Sequence, residues 1–200
     1  MSTLPDYRFI RFKFYAPIAV EAVRVDGVFV VGRWTKKEER FYPERGASVA
    51  QRFANCDSTP EKVCGFTARY GPLAIPQGQG GFSFTLGDWI ASQKDFQKFW
   101  QVLANGGMPY RYSPLPGDAV EFRVKWLHLR CGTLWTFMTY ELLSQPAKVR
   151  ICERPDCKHP YFVAQHGKER YCSIECSGWS QAKLKKRWHE NQRQKRKLAT

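Results

Sequence analysis

The run ICERPDCKHPYFVAQHGKERYCSIEC, Ile151 to Cys176, holds four of the chain's seven cysteines in the pattern Cys152-x4-Cys157-x14-Cys172-x3-Cys176. Thiolates in two short-spaced pairs suit a small closed site, and Zn²⁺ takes four tetrahedral ligands of this kind in structural sites. The intervening residues carry the chain from one pair to the other. Pro160 to Val163 is apolar and strand-like, Gln165-His166-Gly167-Lys168 reads as a turn, and Arg170-Tyr171 leads back. Cys172 and Cys176 are four apart, so a helix start would aim both sulfurs at one ion, with Ser173 as its cap. Four thiolates around Zn²⁺ leave a net charge of about −2, which Arg154, Lys158, Lys168 and Arg170 are placed to offset. The expectation is one structural zinc held by Cys152, Cys157, Cys172 and Cys176. A unit this small builds little core, so the metal would supply most of its folding energy. His159 and His166 are the alternative ligands in reach, and an iron–sulfur cluster is the alternative cofactor.

Moving toward the C-terminus, Cys176 to Leu198 contains no proline and is rich in Lys, Arg, Gln and Glu, which predicts a helix. Leu184 and Trp188 form an i,i+4 pair expected to pack on the finger or the main domain. Lys183, Lys186, Arg187, Arg193 and Lys197 share a broad neighbouring face and are the expected nucleic-acid contacts. Arg187, Asn191 and Gln194 are the side chains suited to base edges. Ala147 to Thr200 carries 14 Lys and Arg against 5 Asp and Glu, whereas Met1 to Pro146 carries 18 against 13. Most of the net charge of +14 therefore lies in the last quarter of the chain, which points to a polyanionic partner there.

The finger resembles that of the bacterial CGNR-type zinc-finger proteins. The resemblance rests on Cys152 and Cys157, Phe162, the element Tyr171-Cys172-Ser173, Cys176 and the basic helix that follows. It spans Leu134 to Arg187 at most, and the signature that names the family reads Cys176-Ser177-Gly178-Trp179 here. The resemblance implies an N-terminal α/β domain, a helix leading into the finger, and a role in transcription regulation, while the short paired cysteine spacing itself fits a ribbon or treble-clef-like finger.

Working toward the N-terminus, Thr133 to Ser144 is predicted helical and Pro146 ends it. Asp118 to Leu129 fits both a strand and a helical stripe, with a strand-like start and a break at Cys131-Gly132 preferred. Met108 to Gly117 is a proline-rich connection. Asp88 to Leu103 is predicted helical from Trp89, Ile90, Phe96, Phe99, Trp100 and Leu103, with Asp88 as N-cap and Asn105-Gly106-Gly107 as stop. Gly71 to Gly81 reads as a loop, Phe82 to Leu86 as strand-like, and Lys62 to Tyr70 as a strand. Thr35 to Ala47 reads as a loop, Arg24 to Trp34 as a strand or hairpin around Asp26-Gly27, and Tyr7 to Tyr15 as a strand. The fold class is thus α+β: a mixed domain over residues 1–145, a four-cysteine finger over 146–188 and a basic tail over 189–200.

The 200 residues are 43% hydrophobic with a mean hydropathy of −0.50, enough apolar material for a core. No uncharged apolar run approaches the ~18 residues a membrane span needs. An odd number of cysteines without a secretion-type N-terminus points to a reducing compartment, hence the cytoplasm. Cys56, Cys64, His128 and Cys131 are spaced too irregularly to favour a second metal site, and His128 with Cys131 lacks an orienting partner for nucleophilic work. Gln77 to Gly81 lacks the Lys-Ser/Thr of a phosphate loop. Tyr7, Phe9, Arg11 and Lys13 mix aromatic and basic groups on one strand face, as single-strand binders do, without a matching second strand. The function expected is DNA binding in a regulatory role, with homo-oligomerisation open. An RNA-binding module, an enzyme and a protein adaptor in which the finger is only structural are the alternatives.

Overall fold

Large aromatic residues recur at helical spacing through the middle of the chain, and the helices they define close around Phe53. The computed structural model describes residues 10–17, 20–34, 37–40, 48–74, 80–107, 119–123, 126–131 and 133–198. The architecture is mixed α and β. The strands are β1 (Ile10–Pro17), β2 (Val20–Asp26), β3 (Phe29–Trp34), β4 (Lys37–Arg40), β5 (Gly81–Thr85), β6 (Ala119–Arg123), β7 (Trp126–Cys131), β8 (Val149–Ile151) and β9 (Tyr161–Val163). The helices are α1 (Val49–Ala54), α2 (Pro60–Tyr70), α3 (Leu86–Ala104), α4 (Leu134–Leu143) and α5 (Ile174–Leu198).

Three sheets result, with strand orders β4-β1-β7-β6, β2-β3-β5 and β8-β9. In the first, β1 runs parallel to β7 and antiparallel to β4, so the chain's first described strand lies beside one more than a hundred residues later. The second is antiparallel throughout: β2 and β3 form a hairpin, in which Gly27, at φ +61°, opens the two-residue turn, and the later strand β5 adds to β3. Gly32 of β3 faces Phe82 of β5, whose ring lies where a Cβ would stand, so a larger residue there would force that ring to move.

Three of the helices, α1, α3 and α4, begin where a short polar side chain holds a first free amide. Ser48 accepts from Gln51 N at α1, and Thr133 accepts from Thr136 N at α4. At α3 the cap is Thr85, and Asp88 is the third helical residue, reaching back to the Thr85 amide in a reciprocal pair. This corrects the expected N-cap by three residues, because Asp88 satisfies the cap from inside the helix. The helix expected over Thr133 to Ser144 appears as α4, with those two residues as its caps.

Lys62 to Tyr70, expected as a strand, is helix α2. Pro60 presets its first turn, and Val63, Phe66, Thr67 and Tyr70 form one buried stripe at helical spacing. Gly71, at φ +90°, stops it. Lys37 to Arg40, read as loop, pairs with β1 as β4. Asp118 to Leu129 resolves in favour of strands, as the antiparallel pair β6 and β7. The expected strand over Tyr7 to Tyr15 is seen from Ile10 onward. The expected connection over Met108 to Gly117, and the face made by Tyr7, Phe9, Arg11 and Lys13, lie outside the residues whose side chains are described.

Phe53 is the hub of the core. Its ring meets Trp89 at 5.0 Å, Phe96 at 5.3 Å, Phe66 at 5.7 Å and Trp135 at 6.3 Å, mostly edge to face. Such pairs add about 0.5–1.5 kcal/mol each beyond the area they bury. α1, α2, α3 and α4 thereby share one apolar interior, and Val149 of β8 is buried in the same cluster. Among the described residues no helix is long and apolar enough to cross a membrane.

Candidate metal centre

β8 and β9 form a short antiparallel hairpin whose loop carries the first cysteine pair. Cys152 follows β8, and its amide donates to Pro160 O at 2.7 Å, extending the hairpin pairing by one residue. The Cys157 amide closes a turn on Arg154 O, and the His159 amide donates to the Cys157 sulfur. The chain then leaves β9 through the turn at His166 and Glu169 and returns beside its own start. The Glu153 amide donates to Arg170 O at 3.0 Å, and the Arg170 guanidinium pairs with the Glu153 carboxylate. That return places Cys172 next to the first pair. Ser173 then accepts from the Cys176 amide at 3.3 Å, which puts Cys176 in the first turn of α5.

The four sulfurs of Cys152, Cys157, Cys172 and Cys176 lie within 4.8 Å of one another. Cys157 to Cys172 is 3.4 Å, Cys172 to Cys176 3.6 Å and Cys176 to Cys157 3.7 Å. A tetrahedron with metal–sulfur bonds of ~2.3 Å has edges of ~3.8 Å, so the cluster has the size of a four-thiolate metal site. A disulfide would need a sulfur separation of ~2.05 Å, and all seven cysteines are free thiols. The four are positioned to hold a metal ion. Phe162 and Ala164 are buried against them, and Tyr171 is packed alongside.

The surroundings of the four thiols suit a cation. Desolvation raises the Cys157 thiol and pushes the Cys172 thiol well above its ordinary range. Desolvation also acts on Cys176, but hydrogen bonds from Ser173 and from the other three sulfurs outweigh it and lower that thiol. The amides at the start of α5 act in the same direction. Arg154 interacts with the Cys176 sulfur and grips Asp156 through two bonds of 2.9 and 2.8 Å. Of the four cations expected to balance the site, Arg154 is therefore in place. Arg170 is engaged by Glu153, and Lys158 and Lys168 are exposed. His159 and His166 are exposed as well, and the sulfur cluster forms without either.

The hairpin that carries the site is fastened to the aromatic interior by groups that sequence reasoning missed. Asn55 donates to Tyr161 O at 2.6 Å and accepts from Tyr161 N at 3.1 Å, so one carboxamide pairs with β9 as a strand would. Gln51, one helical turn earlier, accepts from Val163 N at 3.2 Å. Trp100 donates from Nε1 to Arg150 O at 2.9 Å and meets the Tyr161 ring edge to face. These partners are 50 to 112 residues apart, and no local pattern announces such pairs.

α5 leaves this root with eight Lys and Arg against two Glu over Ile174 to Leu198. Among the described residues it has no extensive packing partner. Trp188, expected to pack inward, is instead 58% exposed, and among the described residues no element packs extensively on its helix. Arg187 is exposed, as are Lys185 and Asn191. Lys183, Lys186, Arg193 and Lys197 lie on the same helix, and their side chains are outside the described residues, as are those of Leu184 and Gln194. Cys131 is buried in the main core, Cys56 and Cys64 are half-buried, and no second convergence of His, Cys, Asp or Glu occurs among the described residues. No protein-family model, curated protein or solved structure matches the chain.

Proposed function

We propose that the chain is a zinc-stabilised DNA-binding protein with a regulatory role in the cytoplasm. One observation carries this reading: the four-sulfur cluster lies at the root of a long cationic helix that has no extensive packing partner among the described residues. An all-thiolate tetrahedral donor set with both pairs closely spaced favours Zn²⁺, and with four protein ligands the ion has no open position for catalysis. Its part is structural. Cys172 and Cys176 bracket the start of α5, so the bound ion fixes where that helix begins and which way it leaves the body. The order hairpin, turn, helix around one ion is that of a treble-clef-like finger. α5 then lays Lys183, Lys186, Arg187, Arg193 and Lys197 along phosphates, releasing counterions.

The test combines metal analysis with binding. Purified protein should hold about one zinc per chain. Five phosphate contacts would give a slope of about −4 to −5 for log affinity against log salt on duplex DNA. Protein stripped of metal should lose both the slope and most of the affinity. A metal-free chain that binds DNA as well as the loaded one would sink the proposal.

A further inference from the structure

We propose that Trp188 is a base-stacking residue, whose indole receives an unpaired base of single-stranded DNA while the neighbouring cations of α5 hold the phosphates. This rests on the nucleic-acid reading above and names the form of the partner. Of the tryptophans whose side chains are described, Trp89 and Trp100 are buried and Trp135 and Trp179 are half-buried. Trp188 alone among them is left to solvent, at 58% exposure. Among the described residues, the core clusters close without this large aromatic group. Its ring meets His189 edge to face at 4.9 Å, a contact that restricts the indole's orientation.

The surroundings select the occupant. Lys185 and Arg187 are exposed within three residues of the indole, and Asn191 stands three residues further on. The partner must therefore combine a flat apolar face with negative charge, which is the chemistry of a nucleotide in a single strand. A membrane surface fits less well, because an interfacial helix needs a broad apolar face. After Trp188 the only aliphatic residues are Leu198 and Ala199. A second copy of the helix fits less well again, since a coiled-coil seam needs apolar residues every 3.5 positions and the run Lys185 to Lys197 offers Trp188 alone. Paired DNA hides the faces of its bases, so an indole gains little there. Stacking is also tolerant of sequence, and the preference should be for unpaired bases rather than for one base.

The experiment uses the full chain with its metal and labelled oligonucleotides of one length: single-stranded DNA, its duplex, a strand of abasic sugar–phosphate units, and RNA of the same sequence. Binding is followed by anisotropy. The single strand should bind more tightly than the duplex. Trp188→Ala should weaken the single strand roughly 5- to 150-fold, leave duplex and abasic strand nearly unchanged, and preserve the salt slope. Trp188→Phe should restore most of the loss. Because the indole is exposed, metal content and helical signal should match the parent in both variants. Equal losses on single strand and duplex, or no loss on either, would overturn the assignment. Tighter, Trp188-dependent binding of RNA would overturn the choice of DNA. Failure of the unmodified chain to bind any of the four polymers would remove the nucleic-acid reading itself.

Discussion

The aromatic interior and the cysteine knuckle close the same chain by opposite means. Around Phe53 many weak contacts overlap: four rings lie within about 6 Å, each of which also touches others. No single pair there carries the structure, and truncation of one side chain leaves the rest partly in place. At the knuckle the buried side chains other than cysteine are Phe162 and Ala164, with Tyr171 partly buried beside them. Stability there comes through one point, and without a cation the four sulfurs gain little by being close. The difference teaches that the two regions should respond to different insults. The seam between them, made by Gln51, Asn55 and Trp100, decides how far damage spreads.

The largest effect expected is from crossing the two insults. Chelation, or Cys157→Ser, should melt the knuckle and the start of α5 while near-ultraviolet signals of the aromatic interior persist. Structural zinc sites contribute about 10–16 kcal/mol in isolated fingers, far more than this hairpin holds otherwise. Phe53→Ala should cost about 3–5 kcal/mol and loosen the interior, with metal stoichiometry retained in whatever fraction stays folded. Zinc titration and tryptophan fluorescence, run on both variants, separate the regions. Simultaneous collapse of both signals in the cysteine variant would show that the knuckle and the interior are one cooperative unit.

The contrast also explains what could be read without coordinates. The knuckle was legible almost entirely, since its four cysteines, turn and capping serine lie within 25 residues and the chemistry of thiolates restricts their use. α3 and α4 were legible because apolar periodicity and a hard stop agree. α2 was not, because Val63, Cys64, Phe66 and Thr67 look strand-like by type. Its helix depends on Pro60 and on a buried stripe visible only once the opposing wall is known. α1 has six residues, too few for a periodic signal, and its role lies in two amides that act on a strand over a hundred residues away. The exposure of Trp188 was also out of reach, since an apolar i,i+4 pair is more often buried and only the missing partner reveals otherwise.

A smaller effect belongs to the interior alone. Glu141 of α4 accepts from the Ala50 amide at 3.0 Å and from Ser48 and Val49, yet burial outweighs these bonds and pushes its carboxyl up to about 7. The folded chain therefore holds a proton that the unfolded chain, with an ordinary value of 4.5, has released. Stability from this group is full below the unfolded value and is lost as pH rises through about 7. Urea unfolding between pH 5 and pH 8, with zinc in excess, should show a fall of about 2–3 kcal/mol. Glu141→Gln should flatten that slope and be the more stable protein at pH 8, while leaving zinc affinity unchanged. A parent chain that gains stability over the same range would contradict the assignment.

The smallest effect sits on the seam and tests it directly. Asn55→Ala removes both bonds to Tyr161 and leaves an edge amide and carbonyl of β9 without their partner, which should cost about 1–3 kcal/mol. If the seam transmits, the loss is felt on both sides: the interior unfolds at lower urea and zinc binds more weakly, because part of the metal's binding energy must then order the hairpin. Pairing Asn55→Ala with chelation in a double-variant cycle isolates that transmission. In metal-free protein, with the knuckle already melted, the same substitution should cost the interior almost nothing. Equal costs with and without zinc would mean that Asn55 stabilises α1 through its bond to Gln51 O instead, and that the two regions stand side by side without coupling.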